Sequence, residues 1–200
     1  MMNQLAGKIV LITGAGKGGG RALALALAQR GAMAAVNDIS PLNLDQVVSE
    51  IHAQGGRAKA FIEDVAKKMG AQSLIKQVED EFGRIDVLVN HASVQPRAPL
   101  LDMDEWDWHR TLDVNLTGAF VMTQSAGRVM RSQGSGVIVN LVTLNQASAE
   151  NEAAFAASMQ GLAELTRQAA RELSPYGIRV HLVETGADVV EKVLRLLEVE

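Results

Sequence analysis

Six short β-branched runs alternate with helix-period segments along almost the whole chain, and that alternation leaves few folds open. The runs fall at residues 8–13, 33–38, 57–62, 85–90, 136–142 and 178–183. Several are apolar at consecutive positions ("IVLI", "DVLV", "VIV"), the pattern of parallel strands covered on both faces. Helix-period segments at 19–30, 41–54, 67–82, 103–131 and 150–174 separate them, and "ADVVEKVLRLLEVE" at 187–200 supplies a last helix. The punctuation agrees. Ser40-Pro41 reads as an N-cap followed by proline at the first helical position, and Gly31, Gly55 and Gly83 stand where helices should stop. Strict β-α alternation with right-handed crossovers builds a doubly wound α/β sheet. The expectation is a single domain over residues 1–200, with six parallel strands in the order 3-2-1-4-5-6 and helices on both faces.

Bulk composition supports this and narrows the function. Two hundred residues, 48% of them apolar and 21% charged, suffice for one α/β domain with a real core. There is no cysteine, so disulfides and thiolate metal sites are excluded. The net charge of -4 comes with no basic cluster, which argues against nucleic acid and anionic membrane as partners. The longest apolar run, residues 22–28, is too short to span a bilayer. Residues 1–7 carry no signal-peptide core, so a cytoplasmic protein is expected. His52, His109 and His181 lack metal-ligand spacing and fit surface positions; no metal is expected.

"ITGAGKGGGRALA" follows the first strand and opens the first helix. Gly14, Gly18 and Gly20 allow a tight turn, close approach of backbone to a pyrophosphate and close helix packing. Asp38 ends the second strand, where a carboxylate can accept both ribose hydroxyls of NAD and repel a 2′-phosphate. Its plainer role is a polar strand end beside Ser40; the spacing favours the ribose. Lys17, inside the loop, could favour a phosphate instead, with Asp38 dominating. These features make the domain Rossmann-like and NAD its expected cofactor, although the site could also stand empty.

With these motifs in order, the chain resembles the short-chain dehydrogenase/reductase family from residue 8 to about 183. "TGAGKGGG" is similar to that family's TGxxxGxG at Thr13, Gly14, Gly18 and Gly20. Asp64-Val65 matches its adenine-contacting dipeptide, and "VNHAS" resembles its NNAG, keeping Asn90 and Ala92. The resemblance gives Thr13, Gly14, Gly18, Gly20, Asp38, Asp64, Val65, Asn90 and Ala92 cofactor-binding roles. Asn115 in "VNLTGAF" matches the helix asparagine of the catalytic tetrad. "GSGVIVNLVT" matches the strand leading to the catalytic serine, whose position falls on Thr143, or on Val142 in another alignment. The family's helix reads like "YAASKAGL"; this one reads "FAASMQGL". Phe155 therefore stands at the tyrosine position and Met159 at the lysine position.

Those two replacements remove the family's chemistry. The tyrosine passes a proton to or from the reacting oxygen, and the lysine lowers its pKa from about 10 toward neutrality while holding the nicotinamide ribose. Phe155 has no proton to exchange and Met159 no charge. A positioned acid or base contributes roughly 10²–10⁴-fold on its own. Thr143 could hydrogen-bond a carbonyl that nothing protonates, and Asn115 could be no more than a polar helix residue bonding backbone. Phe155 and Met159 are four apart on a helix, the spacing of ordinary packing. His91 has a suitable pKa to rescue activity, but a strand-end histidine with a satisfied hydrogen bond is the plainer reading.

A second loss is independent. In the family a long mobile substrate segment follows the sixth strand. Here Thr185-Gly186 leads at once into the last helix, and no seventh strand follows, leaving strand six as an edge. The expected function is a non-catalytic subunit that assembles with an active short-chain dehydrogenase, or with itself, through helices 103–131 and 150–174. Trp106, Trp108, Met122 and Phe155 are the candidate contacts. Heteromeric family members with inactive subunits exist, such as 2-(hydroxybenzyl)succinyl-CoA dehydrogenase. An oxidoreductase working through Thr143, His91 or water, and an NAD(H)-sensing module, are the alternatives.

Overall fold

The structure, a computed structural model, describes residues 5–144 and 150–198. Strands β1 (Ile9–Thr13), β2 (Met33–Asp38), β3 (Arg57–Ile62), β4 (Val87–Asn90), β5 (Gly136–Val142) and β6 (Ile178–Glu184) form one sheet. All pairings are parallel and the order is β3-β2-β1-β4-β5-β6, as the alternation of elements requires. The order in which strands are added reverses between β1 and β4, so a crevice opens beyond the carboxyl ends of these two strands.

Alternate strand residues feed two cores. On one face Val10, Ile12, Val36, Val89 and Val139 pack beneath α1 (Gly18–Gln29), α2 (Pro41–Ala53) and α7 (Val189–Glu198). On the other, Leu11, Leu88 and Ile138 meet α3 (Lys68–Phe82), α5 (Ala119–Gln133) and α6 (Ala153–Leu173). Each fully buried Leu or Ile contributes about 1.5–3 kcal/mol, so these faces dominate the fold's stability. α2 starts as the sequence indicates: the Ser40 hydroxyl accepts from Asn43 N–H at 3.4 Å and Pro41 opens the helix.

The amino end of the sheet carries a carboxylate clamp. Asp86 is 7% exposed. It accepts from Ile9 N–H at 2.8 Å and from Arg84, whose Nη2 stands 2.6 Å away. Residues 85 and 86, expected in strand four, precede β4 because the Gln133 amide takes up both backbone groups of Ile85.

Two expected helices differ from the sequence reading. The 103–131 segment is α4 (Glu105–Leu112), a π turn (Asp113–Gly118) and α5, not one uniform helix. Asp104 caps it by accepting from Trp106 N–H at 2.7 Å, so residue 103 lies outside. The 150–174 segment starts at Ala153 because Asn151 holds φ 65°, which a helix excludes. β6 ends in a four-residue connection, 185–188, before α7. Among the described residues β6 pairs with β5 alone. The last two residues of the expected final helix, 199–200, lie outside the described residues.

Candidate functional site: a nucleotide cleft beside a filled pocket

The glycine loop joins β1 to α1 at the crevice. Gly14 has φ +65°, and a Cβ there would stand 2.7 Å from the Ala92 Cα; one on Gly20 would stand 2.2 Å from the Gly14 carbonyl oxygen. Only glycine lets the loop fold this tightly against the end of β4. α1 then points its first, unbonded N–H groups at the opening.

A cleft of about 490 Å³ lies there. It brings together Gly14, Gly18, Asp38, Asp64, Val65 and Ala92 among the expected residues, with Lys17 and His91. The Asp38 carboxylate is held by two backbone donors, Gly16 N–H at 3.0 Å and Ser40 N–H at 3.1 Å. A carboxylate offers about four lone-pair sites, so two remain for the hydroxyls of a ribose. Asp64 takes Ala66 N–H at 3.1 Å and Arg110 at 3.3 Å. Ser93, which closes the "VNHAS" motif, also lines the cleft, as do Arg110 and Asn43, which were not singled out as binding residues. The elements of Arg110 and Asn43 converge only through the fold, so spacing along the chain gives no signal for them.

Thr13, Gly20 and Asn90 do not line the cleft. The Thr13 hydroxyl accepts from His91 N–H and Ala92 N–H, each at 3.1 Å, tying β1 to the end of β4. Asn90 donates to Asn140 at 2.8 Å and Thr123 at 3.3 Å within the sheet–helix interior, and Asn140 donates to Thr166 at 2.9 Å. Through these bonds Thr13 and Asn90 brace the structure behind the cleft.

The residues at the catalytic positions form a different assembly. Phe155 and Met159 are 5% and 3% exposed and pack with Ala119, Val142 and Leu162 in a small apolar cluster. Thr143 is engaged elsewhere: its hydroxyl meets that of Thr185 at 2.6 Å. Asn115 sits in the π turn and clasps Val94, accepting from its N–H at 2.8 Å and donating to its carbonyl at 3.0 Å, with a further bond to Ser158. This matches the plainer reading of Asn115 as a backbone-bonding residue. None of the four lines the cleft. Burial holds the His91 imidazole below its usual pKa, against the opposing influence of the Gly14 backbone and the Asp38 charge. Its buried Nδ1 faces the Gly14 backbone, the hydrogen-bonding group nearest the ring.

A second depression of about 310 Å³ runs between α5 and α6, lined by Phe120, Leu165, Leu173 and Tyr176 among others. Phe120 is 43% and Trp106 69% exposed, while Met122 and Phe155 are buried. Met122, a candidate contact, instead belongs to the core, because the π turn changes which residues of the 103–131 segment face outward, and Phe155 is buried on α6, as its packing spacing with Met159 indicates.

A doubly wound sheet with a glycine loop and an acidic residue after β2 defines a dinucleotide-binding type of domain. The chain belongs to the short-chain dehydrogenase family, whose pattern it matches over residues 8–191. It is 38% identical to a 3-oxoacyl-[acyl-carrier-protein] reductase of Synechocystis, over 92% of this chain and 76% of the relative. It is 34% identical to the (2S)-[(R)-hydroxy(phenyl)methyl]succinyl-CoA dehydrogenase subunit BbsD of Thauera aromatica, over 90% of this chain and 72% of that one. A crystal structure of a metagenomic short-chain oxidoreductase in complex with NADP superposes with a TM-score of 0.93 at 30% identity, over 98% of this chain and 92% of that one.

Proposed function

We propose that this chain is a non-catalytic member of its family, binding NAD in the cleft and assembling with a catalytically intact relative. The observation that carries the reading is the apolar cluster around Phe155 and Met159. At the two positions where proton transfer needs a phenol and an ammonium, the fold has buried a ring and a thioether. Thr143, at the serine position, has its hydroxyl paired with that of Thr185.

The cleft's residues fit a dinucleotide in its adenosine half. Asp38 retains acceptor sites for a ribose, and its charge opposes a 2′-phosphate, which favours NAD over NADP. The nicotinamide half lacks the lysine that would hold the second ribose. A bound NAD would supply a hydride acceptor, but neither Phe155 nor Met159 can take the alcohol proton as the family's tyrosine and lysine do.

Retention of sheet and long helices without chemistry favours a role for the surface. The α5–α6 depression, with Phe120 exposed at its edge, is the face on which we place the partner. The name of the Thauera relative, a dehydrogenase subunit, is compatible with this. The test is to purify the chain alone and together with a YxxxK-bearing relative from the same genome. Expected are NAD binding without alcohol oxidation by the chain alone, and a stable mixed oligomer that Phe120→Asp dissociates. Robust turnover by the chain alone, or a monomer at micromolar concentration under both conditions, overturns the proposal.

A further inference from the structure

The His91 ring lies between the inside of the glycine loop and the cleft. A Cβ built on Gly20 would stand 2.9 Å from Nδ1, one on Gly14 3.3 Å from Nδ1, and one on Gly19 3.1 Å from Nε2. The imidazole thus rests on three glycines at once and also lines the cleft. Gly18 and Gly19 open α1, and the first N–H groups of a helix are a natural seat for a phosphate. Nε2 is therefore beside the place where a pyrophosphate would settle.

We propose that His91 is a proton-dependent contact for the pyrophosphate of the bound dinucleotide: neutral in the open cleft, it gains a proton when the phosphates settle over Gly18 and Gly19. This rests on the nucleotide-binding reading of the cleft. The cleft holds several charged groups, of which Asp38 acts on the ring. Lys17 lies on the loop itself, Asp38 at the end of β2, Glu63 and Asp64 after β3, and Arg110 on α4. Asp64 and Arg110 are paired with each other, and Asp38 already favours the charged ring, yet burial keeps it neutral. An opposite charge within about 4–6 Å raises a proton affinity about tenfold or more, and a pyrophosphate brings two.

The sign follows from linkage. His91 has a lowered pKa without nucleotide and a raised one with it. Between those two values binding takes up a proton, so affinity rises as pH falls through the window and levels off below it. Above the raised value affinity is independent of pH.

The experiment is calorimetric titration of the full chain with NAD and with ADP-ribose between pH 5.5 and 8, in two buffers of different ionisation enthalpy. Expected is net proton uptake, with affinity about tenfold higher at pH 5.5 than at pH 7.5. Adenosine, which lacks phosphate, should bind without uptake. His91→Asn should abolish the uptake and flatten the profile. NMR titration of the wild-type His91 ring should show its pKa rising when ADP-ribose is added, a readout that stands if the variant fails to fold. NAD binding that is independent of pH, or an unmoved His91 pKa, overturns the proposal while sparing the nucleotide reading. Absence of NAD and ADP-ribose binding at every pH overturns both.

Discussion

Restoring the family's lysine by Met159→Lys should destabilise the protein rather than revive it. Met159 is 3% exposed in a cluster of Phe155, Val142, Ala119 and Leu162, none of which can pair an ammonium. A lysine titrates near 10.4 in an unfolded chain, and full burial can bring it to about 5–6. Taking about 7.5 for this site, neutralising the side chain costs about 4 kcal/mol at pH 7, at about 1.36 kcal/mol per pH unit. That is a large part of the 5–15 kcal/mol typical of a whole domain. The lysine's folded pKa lies below its unfolded value, so the unfolded state binds more protons and stability recovers as pH rises between the two. Urea unfolding at pH 7, 8 and 9 should give a gap from wild type that narrows by about 0.7 kcal/mol from pH 7 to 8 and by about 1.2 kcal/mol from pH 8 to 9. Met159→Leu, a volume-conserving change, should cost less than about 1.5 kcal/mol. A lysine variant within about 1 kcal/mol of wild type at pH 7, with an unchanged pH profile, would show an accessible position and an intact catalytic pocket, and the reasoning would fail.

The remaining expectations concern single contacts. Asp38→Ala should weaken NAD binding roughly ten- to a hundredfold in calorimetry, because charge-assisted ribose bonds are worth about 1.5–3 kcal/mol. Asp86→Ala should lower unfolding free energy by about 2–3 kcal/mol, since it strands the Ile9 N–H and the Arg84 guanidinium; denaturant titration reads it. Asn115→Ala should destabilise by a similar amount by freeing both backbone groups of Val94, with thermal melting as the readout. The double change Phe155→Tyr with Met159→Lys should still yield no measurable NAD-dependent alcohol oxidation, as assayed by NADH absorbance.

Strand order was legible because β-α alternation and handedness leave one economical arrangement, and the glycine loop because Gly14 and Gly20 have no substitutes at their contact distances. Phe155 and Met159 were legible as packing residues from their four-residue spacing. The π turn was not, since one extra residue hardly disturbs helical periodicity over 103–131, and with it went the facing of Met122. Arg110 and Asn43 reach the cleft from α4 and α2, and no pattern along the chain announces such a meeting. Thr13 and Asn90 were assigned to the cofactor by motif; the fold adds that Thr13 ties β1 to the residues after β4 and that Asn90 bonds Asn140 and Thr123 in the interior.

The four-residue connection from β6 to α7 bears on time as well as shape. In enzymes, a segment that closes over substrate commits the bound molecule and sets the rate at which products leave. Residues 185–188 are too few to fold over the cleft. A dinucleotide entering here meets no gate on that side, and its residence follows from its contacts alone. In the assembly proposed above, exchange of the nucleotide would then be set by dissociation from the cleft rather than by the motion of a segment between β6 and α7.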